Sequence, residues 1–246
     1  MTTVIPRCTV VGHGRLGVAL AAALRAAGVA VDGPLDRASA PDADAPVVLL
    51  AVPDGEIANA AQALRNPGAV TFLGHCSGAT TLAPLRGRGR AQHAFSLHPL
   101  MTVTRAGADF AGATAAVAGS TAEALALATH LARTLDMNPI DVPDRDRAAY
   151  HAAASMASNF LLTLEWAAQR VGHLDRAALA PLVRATVDNW LEQGPAQALT
   201  GPIARGDEAT VRRQRAAVVT RTPDLAELFD ALTEATRTLA AEPARA

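Results

Sequence analysis

Up to about residue 120 the hydrophobic positions come in short continuous runs separated by glycine, proline and polar clusters. They read CTVV at 8–11, VVLLAVP at 47–53, AVTFLGHCSG at 69–78, AQHAFSLHP at 91–99 and ATAAVAG at 113–119. Runs without alternation suit strands covered on both faces, so they predict a parallel sheet. Helical stretches are expected at 17–27, 55–64 and 121–135, with Gly28 ending the first as a glycine cap and a second strand following at 29–31. From residue 144 onward the pattern changes, and four long helices are expected at 145–172, 175–193, 207–220 and 223–241. The chain is therefore expected to divide into an α/β domain, 1–142, and an all-α domain, 143–246.

Composition narrows the class. The 246 residues, half of them hydrophobic, can build one large core or two modest ones. A formal net charge of −1 supplies no field that would draw nucleic acid or a membrane surface. Cys8 and Cys76 fall in expected buried strands and read as small core residues of a reducing compartment. The opening residues carry no basic stretch followed by an apolar one, and no uncharged apolar run approaches the length of a membrane span. A cytoplasmic protein is expected, with a small-molecule substrate, no nucleic-acid or membrane partner and no metal.

The glycine pattern is the first chemical signal. Thr9, Val10 and Val11 run directly into GHGRLG, whose Gly12, Gly14 and Gly17 fill G-x-G-x-x-G, and an alanine and leucine helix follows. In such a strand, turn and helix the first glycine makes the turn, the second admits a pyrophosphate and the third packs helix on strand. His13, Arg15 and Leu16 complete the loop. The same glycines could instead turn a corner with no ligand.

GHGRLG, LLAVPDGEI, HCSG, SLHPL, YHAAASMASNF and ALTGPIARGD occur in this order along the chain. In that order the sequence resembles a family of oxidoreductases with a Rossmann-like domain and a C-terminal helical domain of unknown function. That family belongs to the superfamily with a 6-phosphogluconate-dehydrogenase-like C-terminal domain, whose better-known relatives are pyrroline-5-carboxylate reductase, prephenate dehydrogenase and ketopantoate reductase. The resemblance implies a Rossmann-like sheet followed by an all-α domain of that kind, and a homodimer paired through the helices. It does not name a substrate.

The cofactor choice turns on the residues after the second strand. Asp36 follows Gly12 at about the 20-residue spacing at which an acidic group accepts from a ribose hydroxyl and favours NAD(H). Arg37, beside it, can clamp a 2′-phosphate and favours NADP(H), as the related reductases often do. Arg15 could add a second positive contact. NADP(H) is the expected cofactor and NAD(H) the alternative, while Arg37 could equally be a solvated loop arginine. Val52 and Pro53 are expected to pass the nicotinamide ribose, with Asp54 capping the next helix.

Ser77 and Gly78, at a strand end, could present a hydroxyl and N–H groups to a substrate carboxylate, or could simply form a serine turn. His98, before Pro99, is expected in extended backbone at a strand mouth, as ligand or as structural group. Arg86, Arg88 and Arg90 read as a solvated loop. In YHAAASMASNF, His151, Ser155, Ser158 and Asn159 fall within about 100° of one helical face. The helix of the relatives carries Lys or His followed by Asn or His. This chain has no K-x-x-x-N, so a lysine acid is not carried over and His151 takes its place as proton donor, with Ser155 and Asn159 beside it. A buried structural network or a solvated face are the other readings of the stripe. Arg205 could reach a substrate carboxylate or order its own loop, with Asp207 capping the next helix. The expectation is a reductase acting on C=O or C=N beside a carboxylate, such as ketopantoate, another keto acid or a cyclic imino acid. A dinucleotide-sensing protein without turnover is the alternative.

Overall fold

The computed structural model describes residues 5, 7–36, 46–64, 70–86, 93–105 and 107–242. Two compact units divide the chain, Met1–Ser155 and Met156–Ala246. The first is built on β1 (Cys8–Val11), α1 (Arg15–Ala26), β2 (Val31–Leu35), β3 (Val47–Leu50), α2 (Ile57–Gln62), β4 (Phe72–His75) and β5 (His93–Leu100). It continues through β6 (Thr114–Gly119), α3 (Ala122–Thr134), β7 (Asn138–Asp141) and α4 (Arg147–Ser155). The strands form one sheet in the order β2-β1-β3-β4-β5-β6-β7.

The fully apolar strands are buried on both sides, as their lack of alternation requires. Val10, Leu49, Leu97 and Val117 join α1 and α3 in one core. Val11, Val48, Leu50, Leu73 and Ala118 join α2 and the short turn at Ala83–Leu85 in the other. The sheet is not wholly parallel: β6 runs antiparallel to β5. A parallel return needs a crossover element, and the described residues of the connection at 101–113 form no helix.

Two strands depart from the expected pattern. β2 begins at Val31 and runs through Asp32, Gly33 and Pro34, half-buried at the sheet edge, where a missing N–H is tolerated. β7, Asn138–Asp141, lies where only a join between domains was expected; its NPID sequence carries little apolar signal because that edge is largely exposed. The sheet unit runs on through α4 to Ser155, past the expected join at 142–143. Arg147 of α4 donates to Ser77 and Ser96, which ties the helix to the sheet.

The second unit contains one π turn, Met156–Phe160, then α5 (Leu161–Gly172), α6 (Arg176–Gln193), α7 (Pro195–Ala198), α8 (Glu208–Arg221) and α9 (Ala226–Ala240). The π turn interrupts the helix expected to run unbroken over 145–172. Asp175 and Asp207 cap α6 and α8 by accepting from Ala178 N at 2.8 Å and Thr210 N at 3.0 Å. Arg170 forms a bidentate pair with Asp224, and Arg215 another with Asp230. Among the described residues no helix is long and apolar enough to cross a membrane.

Candidate functional site

Chain order reverses at β1, whose neighbours β2 and β3 lie on opposite sides, so the crevice beyond the carboxyl ends of β1 and β3 is the switch point. The three glycines there have different jobs. Gly12 holds φ at +121°, and a Cβ on it would fall 2.2 Å from the Ala51 carbonyl oxygen; one on Gly17 would fall 2.0 Å from that of Gly12. These two are demanded by packing alone. Gly14 is different, since nothing lies within 4 Å of where its Cβ would be. It also starts α1 with no side-chain cap and no acidic residue in the first turn. The helix start is thus open to an anion, and its unbonded N–H groups and positive dipole end fit a diphosphate.

Around this loop His13 and Arg15 are exposed and Leu16 is half-buried. His13 and Arg15 also border an open groove of about 580 Å³ along α1, together with Thr104 and Arg105. Val52, half-buried, and Pro53, exposed, follow β3. Asp54 does not cap a helix as expected: it opens a 3-10 turn, Asp54–Glu56, that leads into α2. Asp36 is placed just past β2, whereas Arg37, Arg88 and Arg90 lie outside the described residues.

A second cluster gathers at the carboxyl ends of β4 and β5. Ser77 does form the serine turn, its Oγ accepting from Ala79 N at 3.2 Å and Thr80 N at 2.9 Å. Beneath the turn lies Arg147, with no exposed surface. It donates from Nη1 to Ser77 O at 2.8 Å and Gly78 O at 3.4 Å, and from Nη2 to Ser96 Oγ. Its Nε has no hydrogen-bond partner among the described residues and sits 3.7 Å from Asp144 Oδ1. Burial works against this charge, and Asp144 restores part of what burial removes.

His75, fully buried, accepts from Ser77 N at Nδ1 and meets Thr81 O at 3.1 Å through Nε2. Burial pushes its pKa down to about 4, and Arg147 adds to the effect. His98 Nδ1 lies 2.8 Å from the Tyr150 hydroxyl. Its ring stands edge-on to that of His151, with centroids 6.1 Å apart. Burial, then His151 and Arg147, pushes the His98 pKa down to about 4, so both His75 and His98 are neutral near pH 7. Gly78 allows the convergence: a Cβ there would stand 2.8 Å from both His151 Cδ2 and His98 Cε1.

The structure therefore brings Ser77, Gly78, His98 and His151 together. Ser155 is half-buried at the end of α4. Ser158 and Asn159 lie in the π turn, where the 100° per residue used to count the polar stripe does not apply. Arg205 is exposed in the loop between α7 and α8. Sequence reasoning passed over Arg147, His75 and Tyr150 as site groups. Arg147 ends the charged run DRDR at 144–147 and looks like a solvated charge, and only the fold buries it.

Residues 113–236, half of the chain, match the family described as a domain of unknown function, DUF2520. The chain belongs to the DUF2520 family. No curated protein matches it by sequence. Among solved structures, this DUF2520 protein is similar to one from Bacteroides fragilis described as a candidate NADP oxidoreductase. That likeness has a TM-score of 0.78 at 20% identity, over 95% of this chain and 98% of that one. A Thermotoga maritima protein gives 0.78 at 22% identity, over 96% of this chain and 100% of that one. A reductive aminase from Aspergillus terreus, in complex with NADPH and ethyl-5-oxohexanoate, gives 0.64 at 16% identity, over 94% and 95%. The likenesses extend the fold of this DUF2520 protein across both its units.

Proposed function

We propose that the protein is an NADP(H)-dependent oxidoreductase that reduces a C=O or C=N group beside a carboxylate, in a keto acid such as ketopantoate or in a cyclic imino acid. One observation carries this reading: a glycine loop with open space at Gly14 and a histidine cluster share the carboxyl edge of one sheet. The B. fragilis and A. terreus structures support the choice of NADP(H), and the ketone of the ester bound by the latter supports a C=O group as the one reduced. When bound, the dinucleotide supplies the hydride. Gly12, His13, Gly14, Arg15, Leu16 and Gly17 would hold its diphosphate, Val52 and Pro53 would border its nicotinamide ribose, and Arg37 would take its 2′-phosphate.

Reduction leaves negative charge on oxygen, or a lone pair on nitrogen, that a positioned acid must meet. His151 is the proton donor in this reading. Ser155, one turn further along α4, would face the same reacting atom, and Asn159 would hold the carboxamide or substrate from the side. Ser77, Gly78, His98 and Arg205 would bind the substrate. The protein would act as a homodimer, because Leu162, Trp166, Leu182, Trp190 and Leu191 of α5 and α6 are all exposed.

The test is NADPH oxidation over a panel of keto and imino acids, after a thermal-shift screen of the same compounds with NADPH present. Dinucleotide binding without turnover of any of them would replace the reductase with a sensor. Once a substrate is known, His151→Gln should lower kcat by about 100-fold or more. A kcat within about threefold of the parent, with an unchanged pH profile, would remove His151 from the mechanism. Arg37→Ala should raise the KM for NADPH by about tenfold or more and spare NADH, because a charged hydrogen bond to the 2′-phosphate is lost.

A further inference from the structure

We infer that Tyr150 is a positioning residue that fixes the tautomer of His98, donating its hydroxyl proton to Nδ1 so that His98 presents Nε2–H to a substrate as a neutral hydrogen-bond donor. The inference rests on the reductase reading for its purpose, but not for its geometry. The Tyr150 hydroxyl lies 2.8 Å from His98 Nδ1, and among the described residues it has no other hydrogen-bond partner. A phenol with one partner places its single proton in that bond if the partner can accept. An imidazole nitrogen can do so only when the ring is neutral and the proton rests on the other nitrogen.

The charges around the pair favour the same assignment. His98, on β5, faces Arg147 and His151 from α4, His75 from β4 and Asp54 from the turn after β3. Burial opposes a positive ring most, His151 and Arg147 add to it, and Asp54 works the other way. Burial raises the Tyr150 pKa, so the phenol keeps its proton, while the nearby Arg147 cation makes it the better donor. Nε2 of His98 has no hydrogen-bond partner among the described residues. It points to the space beside Gly78, 3.0 Å from where a Cβ would be, and the His151 ring edge borders the same point at 2.8 Å.

The consequence is a division of labour between two adjacent histidines. A neutral imidazole N–H polarises a carbonyl or imine without giving up its proton. His151 is then free to supply the proton that is transferred. Tyr150, though it touches no substrate, decides which edge of His98 carries hydrogen.

Long-range 1H–15N spectra of the full-length protein, labelled at histidine, read the tautomer directly, with His98→Gln identifying the signals. At neutral pH the parent should show a bare, downfield Nδ1 and a protonated Nε2. Tyr150→Phe should move His98 toward a mixture of tautomers. A parent spectrum with the proton on Nδ1, or with both nitrogens protonated, overturns the inference whether or not the variant folds. So does a folded Tyr150→Phe protein whose His98 signals are unchanged. These spectra need no substrate, so a failed tautomer assignment and a failed search for turnover are told apart.

Discussion

The sheet unit and the helical unit use similar alanine- and leucine-rich sequence to opposite ends. In the first, Leu20, Leu24, Leu49, Leu50, Leu73 and Leu131 are wholly buried. In the second, Leu162 is 69% exposed and Leu191 68%, and both tryptophans are exposed. Its buried apolar side chains among the described residues are Val211, Val218 and Leu225. The arginines divide in the same way: Arg147 is enclosed under a turn, whereas Arg170, Arg215 and Arg237 make ion pairs in contact with solvent. A sheet offers two faces that its own helices can cover. A layer of helices joined by short loops leaves an apolar face outward, which a second copy of the chain would cover.

The largest effect is expected where the sheet unit has least room. Gly12→Ala puts a Cβ 2.2 Å from a backbone oxygen at a positive φ, and should cost more than about 4 kcal/mol in denaturant unfolding. Gly14→Ala, with open space around it, should keep the parent's midpoint while weakening NADPH binding. If both variants unfold alike, the loop is structural throughout.

The contrast in exposed surface can be broken at the helices. Trp190→Glu should weaken self-association by about 2–4 kcal/mol, as the loss of an interface anchor does, and shift the light-scattering mass at micromolar concentration toward 25.3 kDa. The sheet unit's unfolding should be unaffected. A parent that already runs at the monomer mass would remove the homodimer.

Next comes the buried cation. Arg147→Met strands the Ser77 and Gly78 carbonyls and the Ser96 hydroxyl, and should cost about 3 kcal/mol. Acid should also find the sheet unit first. His75 and His98 have folded pKa values near 4 against an ordinary 6.5, so between those values the unfolded chain binds more protons than the folded one. Stability is then full above about pH 6.5 and falls as the pH drops toward 4, by up to about 1.4 kcal/mol per pH unit for each histidine. His75→Gln should flatten that slope by about half; an unchanged slope would mean His75 is not buried neutral. The smallest effect is expected for Arg215→Ala, whose exposed pair with Asp230 should shift the Tm less than Arg147→Met does and by less still in high salt.

What the sequence determined by itself was local. Apolar runs without alternation specified strands covered on both faces, G-x-G-x-x-G between strand and helix specified the turn at Gly12, and Thr121, Asp175 and Asp207 announced helix starts that they do cap. Each of these depends on neighbours a few residues away, which is the range over which backbone sterics and capping act. Only the tertiary structure decided the rest. It turned β6 antiparallel, recruited the weakly apolar NPID as β7, set a π turn into the polar stripe and left α5 and α6 uncovered. It also enclosed Arg147 and joined His98 to Tyr150, 52 residues apart. Burial and partnership at that separation depend on which faces meet across the sheet, and a local pattern of residue types carries no record of that.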